Sequence, residues 1–313
     1  MKILISLCLI LLGCGSQLKP GEGYVQVTGG KIWYRILGEG KGHPLIVLHG
    51  GPGSRSCQDI PAYSLLGNER PVIVFDQLES GSSDHPNDTT LWVLPRFVEQ
   101  VKLLKEALGI KKFHLLGSSW GGAVAIEYML TQDVSDVLSV TFAAPLLSTP
   151  QWIKDSNVLL TRLSQPIQDT ISKYELLKQY DAPSYLAATD TFYANFLSRK
   201  QWPKADVAEC EGVPPFNTAI YEYMWGPTEF KSTGTLMDFD RVDQLPKLKL
   251  PVLFINGEYD EVLPETMYYY QALVPGSKVA IVPNAGHSKT IDNPEDYTAS
   301  LSKFMLSIEN EMK

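Results

Sequence analysis

Cysteine and histidine are scarce in this chain, four and five among 313 residues, and they nowhere fall at the spacing of a metal-ligand set. Clusters of lysine and arginine are missing as well. With a formal charge of −8, the chain lacks the concentrated positive surface that neutralises phosphates, so no nucleic-acid partner is expected. Glycine-rich phosphate loops of the P-loop or dinucleotide type do not occur, and no metal or organic cofactor is implied. The absence of repeats and low-complexity tracts removes solenoid architectures. What is present is a globular composition, 44% hydrophobic and 10% aromatic. That is enough for a large core, either one α/β domain or a core with an insertion.

The first residues differ from the rest. Met1-Lys2 leads into an apolar run at residues 3–12, shorter than the roughly 20 residues of a spanning helix, which reads as a secretory signal. Its end, Leu11-Leu12-Gly13-Cys14, resembles the bacterial lipobox, in which cleavage before the cysteine leaves that thiol to be diacylated. We therefore expect a signal at residues 1–13, lipidation at Cys14 and a polar tether at residues 14–23. The protein would be exported and held to a membrane of a bacterial cell envelope by its lipid anchor. Cys8 would leave with the signal. Cys57 and Cys210 would remain where an oxidising compartment permits pairing, but their wide separation favours two unpaired thiols.

Hydrophobic periodicity sets the architecture. Alternating segments at residues 25–27 and 31–36 flank Gly29-Gly30 and predict a hairpin at a sheet edge. Residues 44–48 and 71–75 are apolar runs with no polar face, as expected of parallel strands covered on both sides. Phe97, Val101, Leu104 and Leu108 keep helical spacing up to Gly109. A strand at 113–116, a helix to about residue 131 and a strand at 138–142 continue the alternation, so the sheet is mostly parallel. Residues 146–234 turn helical, polar and aromatic, as in an inserted helical cap. Strands at 251–256 and 278–282 and a helix at 294–308 complete the chain. The expected fold class is α/β, with a core at residues 24–145 and 235–313 and a cap at 146–234.

Gly117-Ser118-Ser119-Trp120-Gly121 lies between a strand and a helix. A Gly-x-Ser-x-Gly turn at that junction stands a serine clear of the sheet, and its small residues let strand and helix approach. By itself the pattern is weak, so its partners decide. Asp260 follows the strand at 251–256 and His287 follows the strand at 278–282. The order Ser119, Asp260, His287 is that of an α/β-hydrolase, with nucleophile, orienting acid and base in those positions. His49 opens His49-Gly50-Gly51-Pro52-Gly53, where a flexible backbone can offer an N–H to a tetrahedral intermediate. Its imidazole is expected to hold that loop. The N–H groups of Gly51 and Trp120 are the expected oxyanion donors.

These segments, with Asp76-Gln77, Gly81-Ser82-Ser83-Asp84 and Gly257-Glu258-Tyr259-Asp260, resemble the proline iminopeptidase family of serine peptidases from about Tyr24 onward. The resemblance implies an α/β-hydrolase that releases an N-terminal residue, preferably proline, from short peptides or aminoacyl amides through an acyl-enzyme. In the archaeal tricorn-associated members, one amine-binding glutamate lies in a Trp-Gly-Pro-x-Glu-Phe-like cap segment and another follows the catalytic aspartate. The matching residues here are Glu229 and Glu261. A negative charge beside the reacting residue is the physical basis for choosing a free amino terminus. Trp225 is a candidate pocket wall, while the other cap aromatics are expected to form the cap's own core. Glu79 departs from the family loop, which carries glycine at that place. Two other readings stay open: an amino-acid amidase or carboxylesterase of the same fold, and a non-catalytic binding lipoprotein.

Overall fold

In the computed structural model, which describes residues 18–200 and 208–312, eight strands join in one sheet of order β1-β2-β4-β3-β5-β6-β7-β8. β1 (Gly21–Val27) and β2 (Gly30–Leu37) form the expected antiparallel hairpin, and β2 also pairs antiparallel with β4 (Val72–Phe75). The pairs that link β4, β3 (Leu45–Leu48), β5 (Phe113–Ser118), β6 (Val137–Ala143), β7 (Val252–Gly257) and β8 (Lys278–Val282) are all parallel. The expected signal and Cys14 lie outside the described residues. Residues 21–23, expected in the tether, belong to β1 instead, with Gly21, Glu22 and Gly23 paired to Ile36, Arg35 and Tyr34. Backbone pairing needs no side-chain pattern, so the two glycines concealed the strand's start.

Side chains alternate along the buried strands, and this places a core on each face. On β3, Ile46 and Leu48 join one cluster with Val101, Leu104 and Val124, whereas Leu45 and Val47 join another with Tyr63 and Leu301. Helices α2 (Leu94–Ala107) and α3 (Trp120–Thr131) therefore cover one face. The short α1 (Ile60–Ser64) and the terminal helix Pro294–Glu311 cover the other. Both faces of the central strands are shielded, which is why their sequences carry no polar stripe.

Between β6 and β7 run α4 (Thr149–Leu160), α5 (Gln165–Leu177), α6 (Pro183–Phe196) and the helix Thr218–Met224. Leu159, Ile171, Tyr185, Phe192 and Phe230 make a separate apolar cluster there. Trp152, Ile220, Met224 and Trp225 instead join the main core, so the helical segment is seated on the sheet domain through large side chains.

The expectation of two free thiols is corrected. Cys57 and Cys210 form a disulfide, with Cα atoms 5.3 Å apart across a sequence separation of 153. Separation along the chain says nothing of separation in space: Cys57 lies in the short turn Ser56–Asp59 behind Gly51, and the chain after α6 returns to it. In the loop-closure model such a cross-link removes roughly 5 kcal/mol of unfolded-chain entropy. It also ties the helical segment to the loop that carries Gly51.

Candidate active site

Ser119 is the single residue between β5 and α3, and its backbone (φ 56°, ψ −124°) lies in a region that side-chain-bearing residues seldom occupy. The turn holds because Gly117 and Gly121, two residues to either side, have no side chains. A Cβ on Gly117 would fall 2.3 Å from the Gly121 carbonyl oxygen, and one on Gly121 would fall 2.3 Å from that of Leu48. Trp120 begins α3, so its N–H has no acceptor within the helix, and the residue lines a small pocket together with Ser119 and Gly51. Gly51, with φ 109° and a cis bond to Pro52, lines the same cleft as Ser119.

His49 and Gln77 join the glycine loop to the elbow. The Gln77 N–H donates to His49 Nε2 at 3.0 Å, which leaves Nδ1 to donate to the Gly50 carbonyl at 2.7 Å. Burial lowers the basicity of His49 despite the opposing charge of Asp76 and the bond to Gly50. The Gln77 amide donates to the His49 carbonyl at 3.1 Å and accepts from the Trp120 indole at 2.9 Å. Sequence reasoning had placed Gln77 in a motif without giving it a task.

On the far side of Ser119, Asp260 and His287 stand at the ends of β7 and β8. His287 Nδ1 is 2.8 Å from Asp260 Oδ1. With Nδ1 donating there, Nε2 is the free base. Asp260 also accepts from the N–H groups of Gly257 and Val262, both at 3.2 Å. Its fourth partner was missed in the sequence: Lys289, 2% exposed, donates from Nζ to Asp260 Oδ2 at 3.1 Å and to the His287 carbonyl at 2.7 Å. Burial by itself would raise the Asp260 carboxyl, but the charges of Lys289 and His287 and these hydrogen bonds bring it down to about 2.

Glu229 and Glu261 reach this place from opposite sides, one from the helical segment and one from the loop after β7. Glu229 Oε1 accepts from the Tyr221 hydroxyl at 2.6 Å, and its own carbonyl accepts from the Trp152 indole at 3.0 Å. Glu261 is fully buried, and neither of its carboxyl oxygens has a hydrogen-bond partner. His287 Nε2 lies 3.5 Å from its Oε1. Burial raises both acids, Glu261 well above the usual range because the charges of Glu229 and Asp260 add to it. Such a pair is completed by a cation.

Gly51, Ser119, Glu229 and His287 line a cleft of about 290 Å³ that also meets Arg55 and Phe216. A side pocket walled by Trp120, Trp152, Trp225 and Glu229 holds only about 10 Å³, room for roughly one water. Trp225 is thus where a pocket wall was expected. Tyr185, Phe192 and Phe196 are buried among their own neighbours. Glu79 has φ 68°, a conformation that favours glycine. Here its carboxylate accepts from the Asn87 N–H at 2.6 Å and the Trp92 indole at 3.0 Å, while its carbonyl accepts from the Asn217 amide at 3.0 Å. The departure from the family loop thus adds a carboxylate that holds Asn87 and Trp92, while the contact with the start of the helix Thr218–Met224 comes from the backbone carbonyl, which a glycine would also present.

Comparison with known proteins agrees with this geometry. Residues 43–294 match the family model described as the alpha/beta hydrolase fold. The proline iminopeptidase of Heyndrickxia coagulans is 41% identical over 288 residues, covering 92% of this chain and 99% of its own. That of Lactobacillus acidophilus is 32% identical over 289 residues, covering 91% and 97%. The crystal structure of the Mycobacterium smegmatis proline iminopeptidase superposes with a TM-score of 0.83 at 28% identity, over 94% of this chain and all of that one. The chain belongs to the α/β-hydrolase fold family, in its proline iminopeptidase branch.

Proposed function

We propose that this protein is a serine aminopeptidase that releases N-terminal residues, preferably proline, from short peptides or aminoacyl amides. Ser119 Oγ attacks the carbonyl of the first residue while His287 Nε2 takes its proton, and Asp260 holds the imidazole. The N–H groups of Gly51 and Trp120 receive the developing oxyanion. Collapse expels the amine, which leaves with the proton from His287. Water then attacks the acyl-enzyme, losing its proton to His287, which passes it to Ser119 Oγ as the acyl bond breaks and the free amino acid departs.

One observation carries this reading beyond serine hydrolysis in general: a buried and a half-buried carboxyl from separate parts of the chain face the reacting region, and the buried one, Glu261, has no hydrogen-bond partner. A buried unpaired carboxyl is costly, and a substrate ammonium is the charge that relieves it. An esterase or amidase that ignores the amine has no use for the pair. The names of the close relatives point the same way. The reading is tested with a panel of aminoacyl p-nitroanilides, in which the prolyl compound should give the highest kcat/KM. A flat profile, or one led by large side chains, would remove the proline preference.

We further infer export and anchoring at Cys14. The lipobox-like Leu11-Leu12-Gly13-Cys14 supports it, and so does the Cys57–Cys210 disulfide, a bond that persists in oxidising compartments. Among the described residues no helix is long and apolar enough to cross a membrane. Palmitate fed to producing cells should label the wild type and not Cys14→Ser. Equal labelling of the two would remove the anchor.

A further inference from the structure

A site that attracts an ammonium ion has an internal conflict. Glu229 and Glu261, needed for the substrate, also stabilise a positive charge on the imidazole beside them, and a protonated His287 cannot accept the serine proton. His287 Nε2 is only 3.5 Å from Glu261 Oε1, so the conflict is local and direct. Asp260, on the other ring nitrogen, pulls the same way. Three carboxyl groups thus stand around the imidazole, and each in its ionised form is the opposite charge to a protonated ring.

Lys289 is the one cation bonded to this group among the described residues. Its ammonium lies 3.1 Å from the Asp260 oxygen that His287 does not use, and it is nearly removed from water. A second bond, to the His287 carbonyl, sets it on the turn that carries the imidazole. We propose that Lys289 is a positioning residue that shares the Asp260 carboxylate with His287 and so keeps the imidazole available as a base at lower pH. The inference rests on the assignment of Ser119, His287 and Asp260 as the hydrolytic set.

The surrounding charges leave that task to Lys289. From the helical segment the facing groups are Glu229 with its hydroxyl partners Tyr221 and Tyr193, and from the loop after β7 Glu261. The turn after His287 contributes Asp292, whose carboxylate is occupied by the N–H groups of Arg199, Lys200 and Gly286. From the α1 side come Asp59, which accepts from the Thr290 hydroxyl, and the joined hydroxyls of Tyr63 and Tyr297. Arg55 lines the same cleft but donates to the carbonyls of Val213 and Pro214. The facing groups are therefore acidic or neutral apart from Arg55 and Lys289, and of these two cations Lys289 is the one bonded to Asp260. The ammonium also favours the ionised form of Glu261, acting against the burial and the carboxylate charges that raise it.

The test avoids the amine site. An uncharged dialkyl fluorophosphonate reacts by attack of Ser119 Oγ on phosphorus; the P–F bond breaks, fluoride leaves, and the serine proton passes to His287 Nε2. The second-order inactivation rate, followed against pH for the full chain, has an acid limb that reports His287. In Lys289→Met this limb should move to higher pH by about one unit or more, the change expected for removing a unit charge so near. Lys289→Arg, which keeps the charge, should leave it close to wild type. If Lys289→Met does not fold, Lys289→Met/Glu261→Gln, which removes one charge of each sign, is compared with Glu261→Gln, and the same upward shift is expected. A limb that stays in place or moves to lower pH overturns the proposal, even where the plateau rate or the melting temperature falls. A wild type that does not react at all would instead refute the hydrolytic set.

Discussion

Ser119→Ala should lower kcat for prolyl p-nitroanilide by roughly 10⁴- to 10⁶-fold, the range found when the nucleophile of a serine hydrolase is removed. The substitution deletes only Oγ. Alanine keeps the Cβ, so the strained backbone at φ 56° and the glycine contacts that permit it are unchanged, and the melting temperature should stay near that of wild type. Residual rate would come from the Gly51 and Trp120 donors and from binding. Measured in parallel, circular dichroism melting and progress curves at high enzyme concentration separate chemistry from folding. A loss below about tenfold would mean that another group, or water, performs the attack, and the triad assignment would fall with it.

Glu229→Gln and Glu261→Gln should each reduce kcat/KM for prolyl p-nitroanilide by roughly 10²- to 10³-fold, as expected when one partner of a buried charge pair is neutralised. Hydrolysis of p-nitrophenyl acetate, which has no amine, should be largely preserved. The two acids are raised by burial, so in the empty site they hold protons more readily than free carboxyls do. An ammonium binds the ionised form. Its affinity is therefore full above their raised values and is lost as pH falls through them, which gives amine substrates a steeper acid decline than the acetate ester. Equal losses for both substrates would assign the glutamates to structure rather than to recognition.

Much of this was visible in the sequence because the chemistry sits at strand ends. Apolar runs located β5, β7 and β8, and the residue types just beyond them made Ser119, Asp260 and His287 the candidates before any distance was known. Glu229 and Glu261 needed more, since only the resemblance to a family placed them in one site. Lys289 was not legible. A lysine two residues after a histidine reads as a surface group, and its burial against Asp260 depends on the turn that Lys289–Asp292 makes over the terminal helix. The Cys57–Cys210 bond was misjudged because chain separation was taken as distance, whereas the return of the chain after α6 closes it. Gln77 lay inside a recognised motif, yet its link between the His49 loop and the Trp120 indole appears only when three segments are brought together.

The central claim is that the site selects a carbonyl beside a free amine. It is tested most directly by kcat/KM of the wild-type protein for prolyl p-nitroanilide and for its N-acetyl derivative, measured at one pH above the range in which the glutamates hold protons. The account predicts that acetylation, which removes the charge that Glu229 and Glu261 receive, lowers the value at least about 10²-fold. Equal rates for the blocked and the free substrate would contradict it.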